Sequence, residues 1–249
     1  MINLIIFHYS LFISIPIVAN FNTHLTVAAS VSGVLAIGVI VTELATIKAA
    51  CLYALLGTLG GILPDVDAPK SIPTRLLFPS LGVFLASLIV ATLIKRFSWL
   101  ELAPLWVAIF LGAHYGLPKL FAKFTNHRGN FHSILAALLF GFISTATLYH
   151  IFGMREFVAW FAGAFVTTGY LAHLLLDEIY SVDVANKRLK KSFGSALKLA
   201  SARHKLSTVL LLLATLSVFQ FTPSTKEVVK ILSHPYTHKI IKMKLGPLG

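Results

Sequence analysis

Apolar residues dominate this chain in long runs, and polar residues are confined to short breaks between them. The runs are Leu4–Ala19, His24–Val41, Ala49–Leu63, Phe78–Ile94, Leu102–Phe121, His132–Phe152, Phe157–Leu176 and Leu206–Phe221. A membrane-spanning helix needs roughly 17–25 apolar residues, which several runs supply and Ala49–Leu63 does not. Unpaired strand edges are not tolerated in lipid, so the runs predict helices. The expected fold class is therefore all-α, a polytopic transmembrane helical bundle with about six to eight membrane helices. Leu4–Ala19 lacks the basic start of a signal peptide and reads as a spanning or re-entrant anchor.

Composition agrees with this pattern. Of 249 residues, 57% are hydrophobic and 12% charged, and the mean hydropathy is +0.83. Soluble domains carry about 25% charged residues. The net charge of +12, from 21 Lys+Arg against 9 Asp+Glu, would suggest nucleic acid in a soluble protein. Here the basic residues sit in connectors, so they predict orientation and contact with anionic lipid, and no direct nucleic-acid binding. Cys51, the sole cysteine, excludes an intramolecular disulfide and reads as a small lipid-facing or core residue. Gly57 and Gly61 form a small-xxx-small pair that would allow close helix approach, although chance explains such a pair equally well.

The expected organisation is an N-terminal apolar anchor over residues 1–22 and a helical domain over 23–184. A basic segment over 185–205 and a final apolar helix with a basic tail over 206–249 complete it. The basic segment holds Lys187, Arg188, Lys190, Lys191, Lys198, Arg203 and Lys205, and reads as a surface segment, for which an amphipathic helix on the headgroups is one form.

Four breaks carry ligand-type side chains. His24 opens a helix, and Asp65 and Asp67 follow Pro64. His127 and His132 flank a polar turn with Arg128, and His173 and Asp177 lie near a helix end. The four-residue spacing of His173 and Asp177 puts them on one helical face. If every run from His24 to Leu176 crosses once, all seven of these His and Asp residues return to the same membrane face. Four imidazoles and three carboxylates are a ligand set for Zn, Mn or Fe, as one or two divalent ions. A metal activates water for hydrolysis, Asp65 or Asp67 can act as general base, and Arg128 can bind an anionic group such as phosphate. Singly, each residue has an ordinary alternative as a cap, a turn carboxylate or a helix-end pair; joint placement on one face favours a site.

These motifs resemble a known family. Thr23-His24-Leu25, Leu63-Pro64-Asp65-Val66-Asp67 with Pro69-Lys70-Ser71, His127-Arg128-Gly129 with His132-Ser133, and Gly169-Tyr170-Leu171-Ala172-His173 through Asp177 are similar to the bacterial membrane-bound metal-dependent hydrolases. That family is also described as LexA-binding, inner-membrane-associated hydrolases. The resemblance implies a helical inner-membrane domain, metal-dependent hydrolysis, and metal residues at His24, Asp65, Asp67, His127, His132, His173 and Asp177. The chain departs from the common pattern at Ala68, at Phe131 and over Glu178–Asp183, which marks a divergent subgroup.

The expected function is hydrolysis of a phosphoester or lipid-linked substrate. The alternatives are a non-catalytic, metal-braced scaffold that binds a partner such as LexA, and a transporter. Against a transporter, the cluster sits at one interface and no inverted repeat is visible. The site face carries Lys70, Arg75, Lys119, Lys123, Arg128 and the basic segment, whereas the opposite face carries Lys48, Lys95, Arg96 and Arg155. The positive-inside rule then predicts a cytoplasmic site face, provided that the last apolar run does not span and carry the basic tail across.

Overall fold

The computed structural model describes residues 20–68, 71–124, 129–183, 188–189, 198–199 and 205–245, with backbone only at 67, 121–124, 182–183 and 188–189. The expected anchor Leu4–Ala19 lies outside the described residues. The chain is an all-α bundle. Its helices are α1 (Phe21–Val41), α2 (Ile47–Gly60), α3 (Ile72–Leu93), α4 (Trp99–Leu111), α5 (Leu117–Phe124), α6 (Ile134–His150), α7 (Glu156–Ser181), α8 (Lys205–Gln220), α9 (Lys226–Leu232) and α10 (Pro235–Leu245). A 3-10 turn, Leu63–Asp67, joins α2 to α3, and a π-helical turn, Gly112–Gly116, joins α4 to α5.

Among the described residues, four stretches are long and apolar enough to cross a membrane: Phe21–Val41, Ile72–Leu93, Trp99–Leu120 and Glu156–Ser181. Three shorter apolar helices, Ile47–Gly60, Ile134–His150 and Lys205–Gln220, accompany them. Their starts follow side-chain caps. Asn20, Thr46, Ser71 and Ser133 accept from the backbone N–H groups of Thr23, Ala49, Thr74 and Ala136, and Ser98 with Glu101 forms a capping box. Each cap satisfies a donor that lipid could not.

Packing is that of a membrane bundle, with small residues inside and large ones outside. α7 is central, packed against α1, α2 and α6, and α8 lies on α6. Ala28, Ser32, Ala36, Ala50, Gly57, Ala159, Ala162 and Gly163 are buried, whereas Val34, Ile37, Leu55 and Phe84 face outward. Cys51 is exposed, on the lipid-facing side. The Gly57/Gly61 pair marks a close approach. A Cβ on Gly61 would overlap Ala28, one on Gly57 would overlap Ser32, and one on Gly169 would overlap the Gly57 carbonyl oxygen. α3 and α4 pack mainly on each other, on the π turn and on the 3-10 turn.

The structure adds two findings about the C-terminal third. Arg188–Leu189 is extended and pairs antiparallel with Val182–Asp183, so the basic segment is not one continuous helix; most of that segment lies outside the described residues. α8 runs along α6 from one end to the other. Near its start, Asn130 donates to Ser207 and accepts from Thr208. Past its end, the Phe221 carbonyl accepts from His150 and the Pro223 carbonyl from Trp160. The tail with Lys226 and Lys230 therefore lies at the end of the bundle opposite the site, which narrows the basic excess of the site face.

Glu227 docks α9. Its carboxylate accepts the Phe157 backbone N–H at 3.0 Å and pairs with Arg155. These bonds, the Phe157 N–H foremost, hold the Glu227 carboxyl below its usual range. A lowered carboxylate stabilises the fold above about pH 4.3, the ordinary Glu value, and the contribution is lost as pH falls through the lowered value. Glu227→Gln is expected to release the tail at neutral pH, read as faster proteolysis after α8. The wild type should reach the same rate only in acid. Identical rates at all pH values would show that this contact does not hold the tail.

Candidate functional site

The site forms where the starts of α1 and α6, the 3-10 turn after α2 and the end of α7 meet. Capping by Asn20 begins α1 so that His24 comes one turn in, where its N–H bonds the Asn20 carbonyl at 3.1 Å. Pro64, at the start of the 3-10 turn, helps end α2. The turn is tied to α3. Ser71 Oγ donates to the Asp65 carbonyl at 2.6 Å, and Thr74 Oγ1 lies 2.8 Å from the carbonyls of both Val66 and Ala68. His132 precedes the α6 cap Ser133. The Tyr170 hydroxyl donates to the Phe131 carbonyl, and the Ile134 N–H bonds the Lys198 carbonyl at 3.0 Å.

Five expected residues converge. Asp177 Oδ1 lies 3.4 Å from His24 Nε2, and its Oδ2 lies 3.4 Å from His132 Nε2 and 3.7 Å from His173 Nε2. Asp65 Oδ1 is 3.6 Å from His173 Nε2. The His24 and His173 rings stack with centroids 3.7 Å apart. His24, His173 and Asp177 form one group with donor atoms within 4.8 Å of one another, and Asp65, His132 and His173 form another. The three histidines are buried, whereas the Asp177 side chain is 11% exposed and the Asp65 side chain 25%. The open side of the site is thus the Asp65 side.

These separations decide between two kinds of site. N–H···O bonds run about 2.7–3.2 Å, shorter than any of the four. Ligands at about 2.0–2.1 Å from a tetrahedral ion stand about 3.4 Å apart along each edge of the shell. The donor set has the spacing of a coordination shell. His173 adds direction: its Nδ1–H donates to the Gly61 carbonyl at 2.7 Å. That bond places the ring's lone pair on Nε2, which is buried and without a hydrogen-bond partner among the described residues. Between that lone pair and the two carboxylates there is room for a metal ion or for a proton. A carbonyl behind a histidine is the usual outer partner of a metal-binding imidazole.

The Asp67 side chain, His127 and Arg128 lie outside the described residues. Ser71, Gly169 and Tyr170 stand in the motif stretches without an expected role, Gly61 is expected only as a packing glycine, and Thr74 is not expected at all. Ser71, three residues before Thr74, carried the spacing of a helix cap. A backbone carbonyl leaves no mark in sequence.

One family's sequence model, that of the YdjM inner membrane protein, matches residues 19–186. That stretch runs from just before α1 to just past α7 and contains every candidate site residue. The chain belongs to the YdjM inner membrane protein family. No curated protein and no solved structure matches it. The YdjM stretch includes all four long apolar spans, so the bundle is that of a multi-pass inner membrane protein. α8, α9 and α10 lie beyond the YdjM stretch.

Proposed function

We propose that this chain is a metal-dependent hydrolase whose single described ion site is built from His24, Asp65, His132, His173 and Asp177. The observation that carries the reading is His173, held by Gly61 with its Nε2 lone pair aimed between Asp65 and Asp177. Nε2 has one lone pair, so His173 cannot serve two ions. We read the two overlapping donor groups as one shell around one ion; a second ion would have to share Asp177, whose two oxygens can bridge. Zn, Mn or Fe suits imidazole and carboxylate donors together. Such an ion supplies Lewis acidity, which makes water nucleophilic near neutral pH.

The chain's own residues would divide the remaining work. Asp65, the more exposed carboxylate, would take a proton at the open side in a state where it does not ligate the ion. Gly61 orients His173, and Asp177 gathers three imidazoles. Asp67 and His127 are kept, on sequence grounds, as further ligands or a second base, and Arg128 as the binder of a phosphoester or lipid-linked phosphate. The basic residues of the site face favour a cytoplasmic placement.

One observation favours the scaffold alternative: the histidines are buried, and closed shells are typical of structural metal sites. Both readings require the metal. The full chain, purified in detergent, is expected to carry about one transition-metal ion, since five donors sharing one histidine form one shell. His173→Ala/Asp177→Ala should carry none. No metal in the wild type, even after supplementation, would overturn both readings. Bound metal without turnover of soluble or lipid phosphoesters would leave the scaffold.

A further inference from the structure

We propose that the cavity between α3 and the π-helical turn binds the headgroup of an anionic phospholipid. The cavity is about 320 Å³. Arg75, His114 and Lys119 line it together with Phe78, Pro79 and Pro118, and no carboxylate does. Arg75 is in the first turn of α3 and Lys119 near the far end of the Trp99–Leu120 span. Both thus lie at the membrane face that carries the metal site, where lipid phosphates stand.

Three observations raise the cavity above a pair of surface cations. First, Arg75 and Lys119 are exposed and make no ion pair among the described residues. Second, the His114 ring lines the cavity from the π turn, with its Nδ1 closed off and its other edge left to face the space. Third, the backbone is altered at this place. Residues five apart on an α-helix diverge by about 140°, which would separate His114 from Lys119. The π turn Gly112–Gly116, in which the Leu117 N–H bonds the Gly112 carbonyl, takes more residues per turn and brings the two toward one cavity.

The chemistry of the lining selects the occupant. The cavity wall itself is mainly apolar, and the exposed Arg75 and Lys119 supply the cations for a phosphate beside it; basic pockets between membrane helices are known lipid-headgroup sites. The Phe78, Pro79 and Pro118 wall matches an acyl chain and gives free phosphate nothing. The assignment does not depend on a bound metal. Through Thr74, which lines the cavity and holds the turn bearing Asp65, the lipid would sit next to the site.

The test uses the full chain reconstituted in nanodiscs of equal parts phosphatidylglycerol and phosphatidylcholine, then native mass spectrometry from mild detergent. The wild type is expected to retain phosphatidylglycerol in preference to phosphatidylcholine. Arg75→Ala/Lys119→Ala should retain about 30-fold less, at about 1 kcal/mol for each basic residue. His114→Phe keeps the ring stacked on Phe110 and should retain several-fold less, on the order of one lost charge-assisted bond. Lys230→Ala/Lys242→Ala, on the tail, should match the wild type. Equal retention by the Arg75/Lys119 variant, or equal retention of the two lipids, would overturn the proposal. Displacement of the lipid by millimolar inorganic phosphate would also overturn it.

Discussion

Asp177→Asn is expected to strip the ion from the site, while Asp65→Asn weakens it less. Asn has nearly the shape of Asp, so the exchange removes charge and one acceptor and leaves packing intact. Asp177 uses both oxygens, toward His24 and His132 at 3.4 Å and toward His173 at 3.7 Å. Asp65 approaches His173 at 3.6 Å from the more exposed side. Loss of an outer partner already costs about 10–100-fold in metal affinity. Loss of the Asp177 charge should therefore exceed about 100-fold, with Asp65→Asn nearer the lower figure. Metal per chain and competition with a chelator give both numbers. The reverse order would move the centre of the shell to Asp65. Equal metal in wild type and both variants would reduce the cluster to a polar network.

Gly169→Val should unfold the same site from behind. A Cβ at Gly169 would overlap the Gly57 carbonyl oxygen and crowd the Gly61 nitrogen. Both are backbone atoms, so no side chain can swing aside and α2 must move from α7. Overpacking costs about 1–3 kcal/mol where side chains can adjust, and this position should reach or exceed the top of that range. His173 lies one turn further along α7, and its partner Gly61 lies on the displaced segment. The variant should therefore melt earlier in detergent and lose its metal as well. Gly38→Val is the control, since a Cβ there meets nothing within 4 Å. A Gly169→Val protein that melts and binds metal like the wild type would refute the account of this contact.

What the sequence made legible was depth and side. Apolar runs located the helices, and counting crossings returned His24, Asp65, His132, His173 and Asp177 to one end, where the structure brings them together. Boundaries were less legible. α3 begins at Ile72, ahead of the run at Phe78, because Arg75 interrupts the apolar pattern. The cap Ser71 and Pro73 give the true start. The run Leu102–Phe121 concealed the π turn, since Gly112 and Gly116 sit in it without disturbing its hydropathy. The seam between α2 and α7 was visible only as Gly57 and Gly61. Its partner Gly169 is distant in sequence, and only the fold shows that the three meet.

The length of α2 has a further consequence. Its 14 residues rise about 21 Å, whereas the hydrocarbon layer is about 30 Å thick. The turn bearing Asp65 begins just beyond that helix, so either the bilayer thins around it or the turn rests below the level of the surrounding headgroups. Where the shortfall falls at this end of α2 rather than at its Thr46 end, the His/Asp end of the bundle is sunk into a dimple. A substrate with an acyl tail could then reach Asp65 by sliding sideways within its own leaflet, without being lifted into water.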